Sequence, residues 1–162
     1  MAQQTQTTDN MALYSQWVRM WNGELELSSE IIGDEFIVHL AEDCSPPQAE
    51  EIRDARTVRA WVDAIRSRND EMTYDLKDGP LVSGATIMAY WRATGTERTP
   101  DRSAVRFAKT GVDVLRVANG KFVECWTANF DARASAASRP THVLPAKCAP
   151  AMTKGSNSSG MR

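Results

Sequence analysis

Three consecutive apolar runs occur in the second half of the chain, over residues 82–93, 105–117 and 121–130. These runs are rich in β-branched and aromatic residues, which are typical of strands. Asn119 and Gly120 separate the last two runs, and this pair favours a type I′ hairpin turn because both central residues need φ > 0. A polar segment, residues 94–103, is predicted to be the loop between the first and second runs. The pattern predicts an antiparallel meander, and we expect its inward-facing residues to perform the function.

The spacing of apolar residues in the first half of the chain predicts helices. A first helix is expected from an N-cap at Asp9 to Gly23, because apolar residues recur there with the spacing of one helix face. A second, shorter helix is predicted over residues 25–32, and a third begins at an N-cap at Thr57. The apolar stripe of the first helix comprises Tyr14, Trp17, Val18 and Trp21, and that of the third comprises Val58, Trp61, Val62 and Ile65.

Two further strands are predicted before the meander. In residues 34–41 the alternation places Phe36 and Val38 on one face and His39 on the other. A second alternating run, residues 72–76, is expected to end at a Gly79-Pro80 turn. Helices followed by strands, without βαβ alternation, predict an α+β architecture. A curved antiparallel sheet packed on the N-terminal helices would leave a conical pocket between them.

The 162 residues predict one folded domain over residues 11–135. The polar residues 1–10 are interpreted as a disordered N-terminal arm. Residues 136–162 contain several prolines and little to bury, so this tail is predicted to be largely disordered.

Composition narrows the class of partner. The net charge is −2 and 25% of residues are charged, so nothing favours binding to nucleic acid or to an anionic membrane. No apolar run approaches the roughly 20 residues of a membrane span. Cys44, Cys125 and Cys148 have the spacing of neither a disulfide framework nor a zinc site, and with two distant histidines no metal site is expected. These features indicate a reduced, cytoplasmic protein.

Several motifs occur in the order found in one known family: Trp21-Asn22-Gly23; residues 34–39; Tyr90-Trp-Arg-Ala-Thr-Gly-Thr-Glu97; Gly111-Val-Asp-Val-Leu-Arg-Val117; and Asn119-Gly-Lys-Phe-Val-Glu-Cys-Trp126. Over residues 12–131 the chain resembles the SnoaL-like polyketide cyclases of the nuclear transport factor 2-like superfamily. The resemblance implies a cystatin-like α+β barrel with a conical pocket, a homodimer and no cofactor.

The resemblance also implies a function. Relatives include cyclases, isomerases and dehydratases that use acid–base catalysis on a small hydrophobic molecule bearing a carbonyl, such as a polyketide, steroid or terpenoid. Other members of the superfamily only bind ligands or associate. The expected function is therefore a cofactor-independent acid–base enzyme, and the alternative is a non-catalytic binding or dimerisation module of the same fold.

Three candidate catalytic residues follow from the resemblance and from a search for ionisable groups on apolar strands. Asp131 stands near the position of a catalytic Asp in relatives, although the common pattern places that Asp where this chain has Phe130; the alternative is a strand-end or helix-capping role. His39 occupies a position where relatives have a histidine near the pocket, and its alternative is a buried, backbone-bonded histidine. Arg92 could bind an enolate or a carboxylate. The alternative is that it is a charged side chain exposed to solvent on its strand. A fourth residue, Glu97, lies in the predicted loop after Arg92. It could serve as an acid if it folds over the pocket mouth, and the alternative is a surface ion pair.

Aromatic residues are expected to form the core and to supply surfaces on which a flat ligand can stack. The predicted pocket residues are Trp17, Trp21, Trp61, Tyr74, Tyr90, Phe107, Trp126 and Asn129. One observation separates the two functional hypotheses. A buried ionisable group beside an open apolar cavity favours the enzyme, because burial raises the pKa of a carboxyl group toward neutral pH. A collapsed cavity favours the binding module.

Overall fold

The computed structural model describes residues 2–40, 49–98 and 103–131. The helical elements are α1 (Ala2–Trp21), a 3₁₀ turn (Leu25–Leu27), α2 (Ser28–Ile31), a second 3₁₀ turn (Ala49–Glu51) and α3 (Ala55–Ser67). The strands are β1 (Ile32–Leu40), β2 (Asn69–Ser83), β3 (Thr86–Arg98), β4 (Ala104–Ala118) and β5 (Lys121–Asp131). The predicted α+β architecture is confirmed.

The five strands form one curved sheet in the order β1-β5-β4-β3-β2. Strands β2 to β5 are an antiparallel meander, as predicted, and the β4–β5 turn has the expected positive φ at Asn119 (52°) and Gly120 (75°). The expectation of a wholly antiparallel sheet is wrong, because β1 pairs in parallel with β5. Alternation along one strand does not reveal the direction of its neighbour.

The strand boundaries around the first hairpin differ from the prediction. Strand β2 continues through Gly79 and Pro80, and the chain turns at Gly84 instead. Proline cannot donate a backbone hydrogen bond, but β2 is an edge strand and its register is interrupted near Pro80, where that loss is tolerated. The polar residues 94–98 belong to β3 rather than to a loop, since their backbone pairs with β4 regardless of side-chain polarity.

Helix α1 begins at Ala2, so residues 2–8, expected in a disordered arm, have a helical backbone. No glycine or proline interrupts the sequence between Ala2 and Gly23. The Asn10 side chain donates to the Gly84 carbonyl (3.1 Å), which fixes this helix to the first hairpin. The predicted tail over residues 136–162, together with Cys44 and Cys148, lies outside the described residues.

Helix α3 begins one turn earlier than predicted. Its N-cap is Asp54, and Thr57 is the third helical residue of a reciprocal capping box. The Thr57 backbone N–H donates to Asp54 Oδ1 (2.8 Å), and the Asp54 N–H donates to Thr57 Oγ1 (3.0 Å). Val58 and Val62 are buried, as the apolar stripe predicts.

Helices α1 and α3 lie against one face of the sheet, and alternation divides the strand residues between this inner face and the outer one. Phe36 and Val38 of β1 are buried whereas Ile37 is 55% exposed, as predicted. Strand β3 repeats this pattern, since Trp91 is buried and Tyr90 is exposed. Among the described helices, none is long and apolar enough to cross a membrane.

Candidate functional site

A cavity of about 990 Å³ lies between the helices and the inner face of the sheet. Its described lining is mostly apolar and aromatic. The aromatic part consists of Trp17, Trp21, Trp61, Tyr74, Trp91 and Phe107. Polar and charged residues also line it, including Glu97, Lys109, Asp113, Thr127 and Asn129. The volume is large enough for a polycyclic small molecule.

Asp113 is a buried carboxylate at the wall of this cavity. It lies on β4, the central strand of the sheet, and only 3% of its surface is exposed. Alternation along β4 places Gly111, Leu115 and Val117 on the same buried face. Asp113 is therefore an ionisable group at an otherwise apolar inner position.

Four side chains donate hydrogen bonds to Asp113. Its Oδ1 accepts from Trp91 Nε1 (2.8 Å) and Thr127 Oγ1 (2.6 Å). Its Oδ2 accepts from Trp17 Nε1 (3.1 Å) and Tyr74 Oη (2.6 Å). We call Trp17, Tyr74, Trp91 and Thr127 the donor cage. The cage comes from α1, β2, β3 and β5, so the carboxyl group connects four elements of the fold.

The electrostatics of Asp113 reflect two opposing effects. All four cage donors are neutral, and their hydrogen bonds lower the pKa of Asp113 because they favour the charged form. Loss of water has the larger effect and raises the pKa above its ordinary value. Burial, followed by the proximity of Asp113, also raises the pKa of Tyr74. The site therefore combines a carboxyl group that retains its proton more readily than usual with a hydroxyl that resists ionisation.

Aromatic stacking holds the cage in place. The Tyr74 ring stacks on Trp21 (5.5 Å between centroids) and on Trp91 (5.1 Å). Trp91 in turn lies directly over Gly111, where an added Cβ would be only 2.3 Å from Trp91 Cζ2 and 2.4 Å from the Ala128 carbonyl oxygen. Glycine at position 111 thus permits the indole to reach Asp113.

Two buried polar atoms have no hydrogen-bond partner among the described residues: Tyr14 Oη and Trp21 Nε1. Tyr14 is 1% exposed, and burial followed by the nearby Asp113 charge raises the pKa of its hydroxyl. Its hydroxyl interacts with that of Tyr74, although the two oxygens do not meet the geometry of a hydrogen bond. Each such unsatisfied group reduces stability.

The structure does not bring His39 to the cavity. His39 lies on the outer face of β1, where its side chain is 44% exposed. Its Nε2 is 2.9 Å from Glu124 Oε1, and its ring stacks on Trp126 with 4.9 Å between centroids. This corrects the expectation of a catalytic histidine: alternation that buries Phe36 and Val38 directs residue 39 outward.

Arg92 also lies on the outer face. It is exposed and alternates with the buried Trp91 and Ala93. Asp131 ends β5, with its backbone paired with Lys109 of β4, and its side chain is outside the described part of the structure. The three predicted catalytic residues are therefore not assembled in one place by the described residues, and Asp131 stays a prediction.

The predicted pocket residues divide between the two faces. Those that line the cavity are Trp17, Trp21, Trp61, Tyr74, Phe107 and Asn129. Tyr90 and Trp126 do not belong there, because alternation places them on the outer face. Trp126 instead packs between the His39 ring and the Arg116 guanidinium, which lies 5.2 Å from the indole centroid.

Asp113 is not among the predicted site residues, although it lies within one of the motifs that carry the family resemblance. The sequence signal is a carboxylate in the run Gly111–Val117, which is rich in valine and leucine, at a position that alternation assigns to the buried face of the strand. A charged residue at such a position must either be paired or have a perturbed pKa.

The sequence profile of the SnoaL-like domain family matches residues 14–125. The chain belongs to the SnoaL-like domain family. Among curated proteins, none matches this sequence.

Solved structures of low sequence identity share the fold. TsrD from Streptomyces laurentii is 18% identical, with a TM-score of 0.63 over 75% of this chain and 88% of that one. A protein assigned as a polyketide cyclase from Acidithiobacillus ferrooxidans is also 18% identical, with a TM-score of 0.62 over 75% and 87% of the two chains. A protein with a ketosteroid isomerase-like fold from Catenulispora acidiphila is 10% identical, with a TM-score of 0.58 over 71% and 82%.

Proposed function

We propose that this protein is a cofactor-free enzyme that transfers a proton on a hydrophobic small molecule bearing a carbonyl group, as a cyclase, isomerase or lyase. One observation carries the proposal: the buried carboxyl group of Asp113 lies at the wall of an open, aromatic-lined cavity. The cavity is not collapsed, and it contains the ionisable group that acid–base chemistry requires.

In this proposal Asp113 acts as the base. It removes a proton from the carbon next to the substrate carbonyl, and the electron pair of the broken C–H bond moves into an enolate. In an isomerisation the same carboxyl group returns the proton to a different carbon. In a ring closure the enolate carbon first attacks a second carbonyl carbon of the substrate, whose C=O electron pair moves to the oxygen, and Asp113 then protonates that alkoxide oxygen. A raised pKa makes the carboxylate a stronger base than it is in water, and a positioned base contributes roughly 10²–10⁴-fold in rate.

The cavity walls support a flat, apolar substrate. Indole and phenol rings provide stacking surfaces, and the volume of about 990 Å³ accommodates several fused rings. The fold is shared with a protein assigned as a polyketide cyclase. Polyketides combine fused or linear carbon frameworks with repeated carbonyl groups, so a polyketide-like compound is the proposed substrate class.

Asp113→Asn tests the proposal, because the amide keeps the shape of the carboxyl group but cannot accept the proton. The assay is incorporation of deuterium from D₂O into 2-tetralone, a bicyclic ketone, followed by proton NMR. We expect the wild type to accelerate exchange and Asp113→Asn to lose at least about 10²-fold of that acceleration. Asp75→Asn, on the exposed side of β2, is the matched control. Saturable binding of the ketone without accelerated exchange would instead establish a binding module.

We also propose that a second copy of the chain covers the outer face of the sheet. Large apolar side chains are exposed there on three strands: Ile37 (55%), Met88 (45%), Tyr90 (40%) and Phe130 (58%). Alternation places all of them on the face opposite the cavity. Exposed apolar side chains on one face of a sheet are typical of association sites, and a homodimer would cover them without closing the cavity.

A further inference from the structure

We propose that Thr127 is a catalytic residue whose hydroxyl changes its hydrogen-bond partner when Asp113 is protonated. It donates to the carboxylate before proton transfer and to the new substrate oxyanion afterwards. The inference rests on the proposed function, because it needs Asp113 to accept the substrate proton. It adds a role for a second side chain of the same site.

The starting point is the direction of the polar hydrogens around Asp113. With Asp113 ionised, all four donor-cage hydrogens are used by its two oxygens. The carboxylate itself has no hydrogen to donate. The donor cage thus offers the substrate carbonyl no hydrogen bond at this stage, although an enolate needs one to stabilise its charge.

Protonation of Asp113 forces one hydrogen bond to reverse. A proton on a carboxyl oxygen must itself be donated, and the receiving group must be able to accept. The indole N–H groups of Trp17 and Trp91 are donors only, whereas a hydroxyl both donates and accepts. Within the donor cage, only Tyr74 and Thr127 can therefore reverse.

The surroundings of the two hydroxyls differ. Tyr74 is 3% exposed, its ring is held between Trp21 and Trp91, and its hydroxyl lies beside that of Tyr14. A hydrogen released by Tyr74 would therefore turn toward Tyr14. Thr127 is only partly buried and lines the cavity. A hydrogen released by Thr127 can turn toward the ligand by rotation about a single C–O bond.

The proposed step conserves atoms and charge. The substrate proton moves to Asp113 Oδ1, and the C–H electron pair forms the enolate, whose oxygen carries the negative charge. The new O–H of Asp113 donates to a lone pair of Thr127 Oγ1, which is already 2.6 Å from Oδ1. The Thr127 hydrogen turns to the enolate oxygen. The reverse movement accompanies return of the proton.

This arrangement stabilises the transition state in preference to the bound substrate. The Thr127 hydrogen is unavailable to the neutral ketone and becomes available as negative charge develops on the oxygen. Interactions that strengthen only in the transition state raise kcat with little effect on KM. The proposal therefore predicts a kinetic signature that differs from simple positioning of Asp113.

Thr127→Val and Thr127→Ser distinguish donation to the enolate oxygen from simple positioning of Asp113 in the 2-tetralone exchange assay. Valine retains the shape but has no hydroxyl, so we expect the pH-independent maximum of kcat to fall roughly 10²-fold, the usual effect of removing one oxyanion donor. KM should change by less than about threefold, and serine should restore most of the rate. The control is Thr73→Val on the exposed face of β2, where the hydroxyl is also hydrogen-bonded to a second threonine, Thr94 (2.8 Å).

A purely positioning role predicts a different result. If Thr127 only holds Asp113, Thr127→Val shifts the pH of half-maximal exchange upward, because Asp113 loses a hydrogen bond, and leaves the maximum unchanged. That result would overturn the proposal. If Asp113→Asn catalysed deuterium exchange at the wild-type rate, the proposed function itself would be overturned. The two failures are therefore distinguishable.

The absorption of bound 2-naphthol gives a measurement that needs no turnover. Proton transfer to Asp113 would leave a naphtholate, which absorbs at longer wavelength and accepts the released Thr127 hydrogen. We expect the naphtholate fraction to fall in Thr127→Val and to recover in Thr127→Ser. An equal naphtholate fraction in the wild type and Thr127→Val would overturn the role of the hydroxyl.

Discussion

The side-chain amide of Asn22 forms two hydrogen bonds with the backbone of Tyr74. Its Nδ2 donates to the Tyr74 carbonyl oxygen (2.7 Å), and its Oδ1 accepts from the Tyr74 N–H (2.8 Å). The end of α1 is thereby fixed to β2 at the residue whose hydroxyl donates to Asp113. The short segment after α1 thus determines where one wall of the cavity stands.

Asn22→Ala should lower both stability and activity. Two backbone groups of Tyr74 lose their partners, so we expect a loss of roughly 1–3 kcal/mol in the free energy of unfolding, measured by urea denaturation. Exchange of 2-tetralone should also slow, because Tyr74 is less firmly placed. Ser29→Ala, which removes an exposed hydrogen bond to the Glu26 carbonyl, should change stability by no more than about 0.5 kcal/mol. Equal effects of the two substitutions would contradict this role of Asn22.

Asp113→Ala should destabilise the fold strongly. The substitution leaves four donors without an acceptor, three of them buried and Thr127 partly buried. At about 1 kcal/mol for each donor the loss should be on the order of 4 kcal/mol. Thermal and urea unfolding measure the effect. Asp75→Ala on the outer surface is expected to change stability by less than about 1 kcal/mol. A loss below about 1 kcal/mol in Asp113→Ala would show that the donor cage contributes little to folding.

The pH dependence of stability should reveal the raised pKa of Asp113. The pKa of Asp in an unfolded chain is about 3.9, whereas burial raises the pKa of Asp113 in the folded protein. Between these two pKa values the folded state binds more protons than the unfolded state, so the free energy of unfolding falls as pH rises. The contribution of Asp113 is fully present below the unfolded pKa and is lost as pH rises through the folded pKa. Asparagine does not titrate.

The measurement is the difference in unfolding free energy between wild type and Asp113→Asn across a pH series. We expect the unfolding free energy of the wild type to fall relative to that of Asp113→Asn as pH rises. Parallel curves would show that the pKa of Asp113 is the same in both states. A difference that favours the wild type at higher pH would show that the four hydrogen bonds outweigh desolvation.

The sequence was sufficient for the fold and insufficient for the site. Hydrophobic periodicity and the Asn119-Gly120 turn predicted the meander, because both are local signals. The extension of β2 past Pro80 depends on that strand lying at the edge of the sheet, which is a tertiary property.

The site residues show the same limit. Residue type and position in a family pattern favour His39 and Arg92 as site residues, but strand alternation directs both outward. Asp113 has no close sequence neighbour among its partners, which lie between 14 and 96 residues away. A donor cage assembled from such distant positions cannot be recognised by spacing along the chain.

Gly111→Ala should disrupt the site through sterics. The added methyl group would lie 2.4 Å from the Ala128 backbone oxygen and 2.3 Å from the Trp91 ring, so backbone must move. We expect a loss of at least about 3 kcal/mol, at the upper end of overpacking effects, with a change in the near-ultraviolet circular dichroism of Trp91. In Gly84→Ala the added methyl group has no atom within 4 Å. Its only cost is the left-handed φ of +57°, which should lower stability by about 1–2 kcal/mol. Similar losses in both variants would argue against this close approach.

Tyr90→Lys should convert the proposed dimer to a monomer. The substitution places a charge on the apolar outer face, where it would be buried against the second copy. Sedimentation velocity of the wild type and the variant measures the change. Ser15→Lys adds the same charge on the exposed side of α1 and should leave the assembly intact. A monomeric wild type would exclude the dimer.

The donor cage also has a consequence for the order of folding. One donor to Asp113 comes from residue 17 and another from residue 127, so the cage closes only after the first helix and the last strand have met. A chain that lacks β5 has no Thr127 to complete the cage. Contacts between such distant residues form slowly. The carboxyl group of Asp113 therefore obtains all four of its hydrogen bonds only when the first helix and the last strand are both in place.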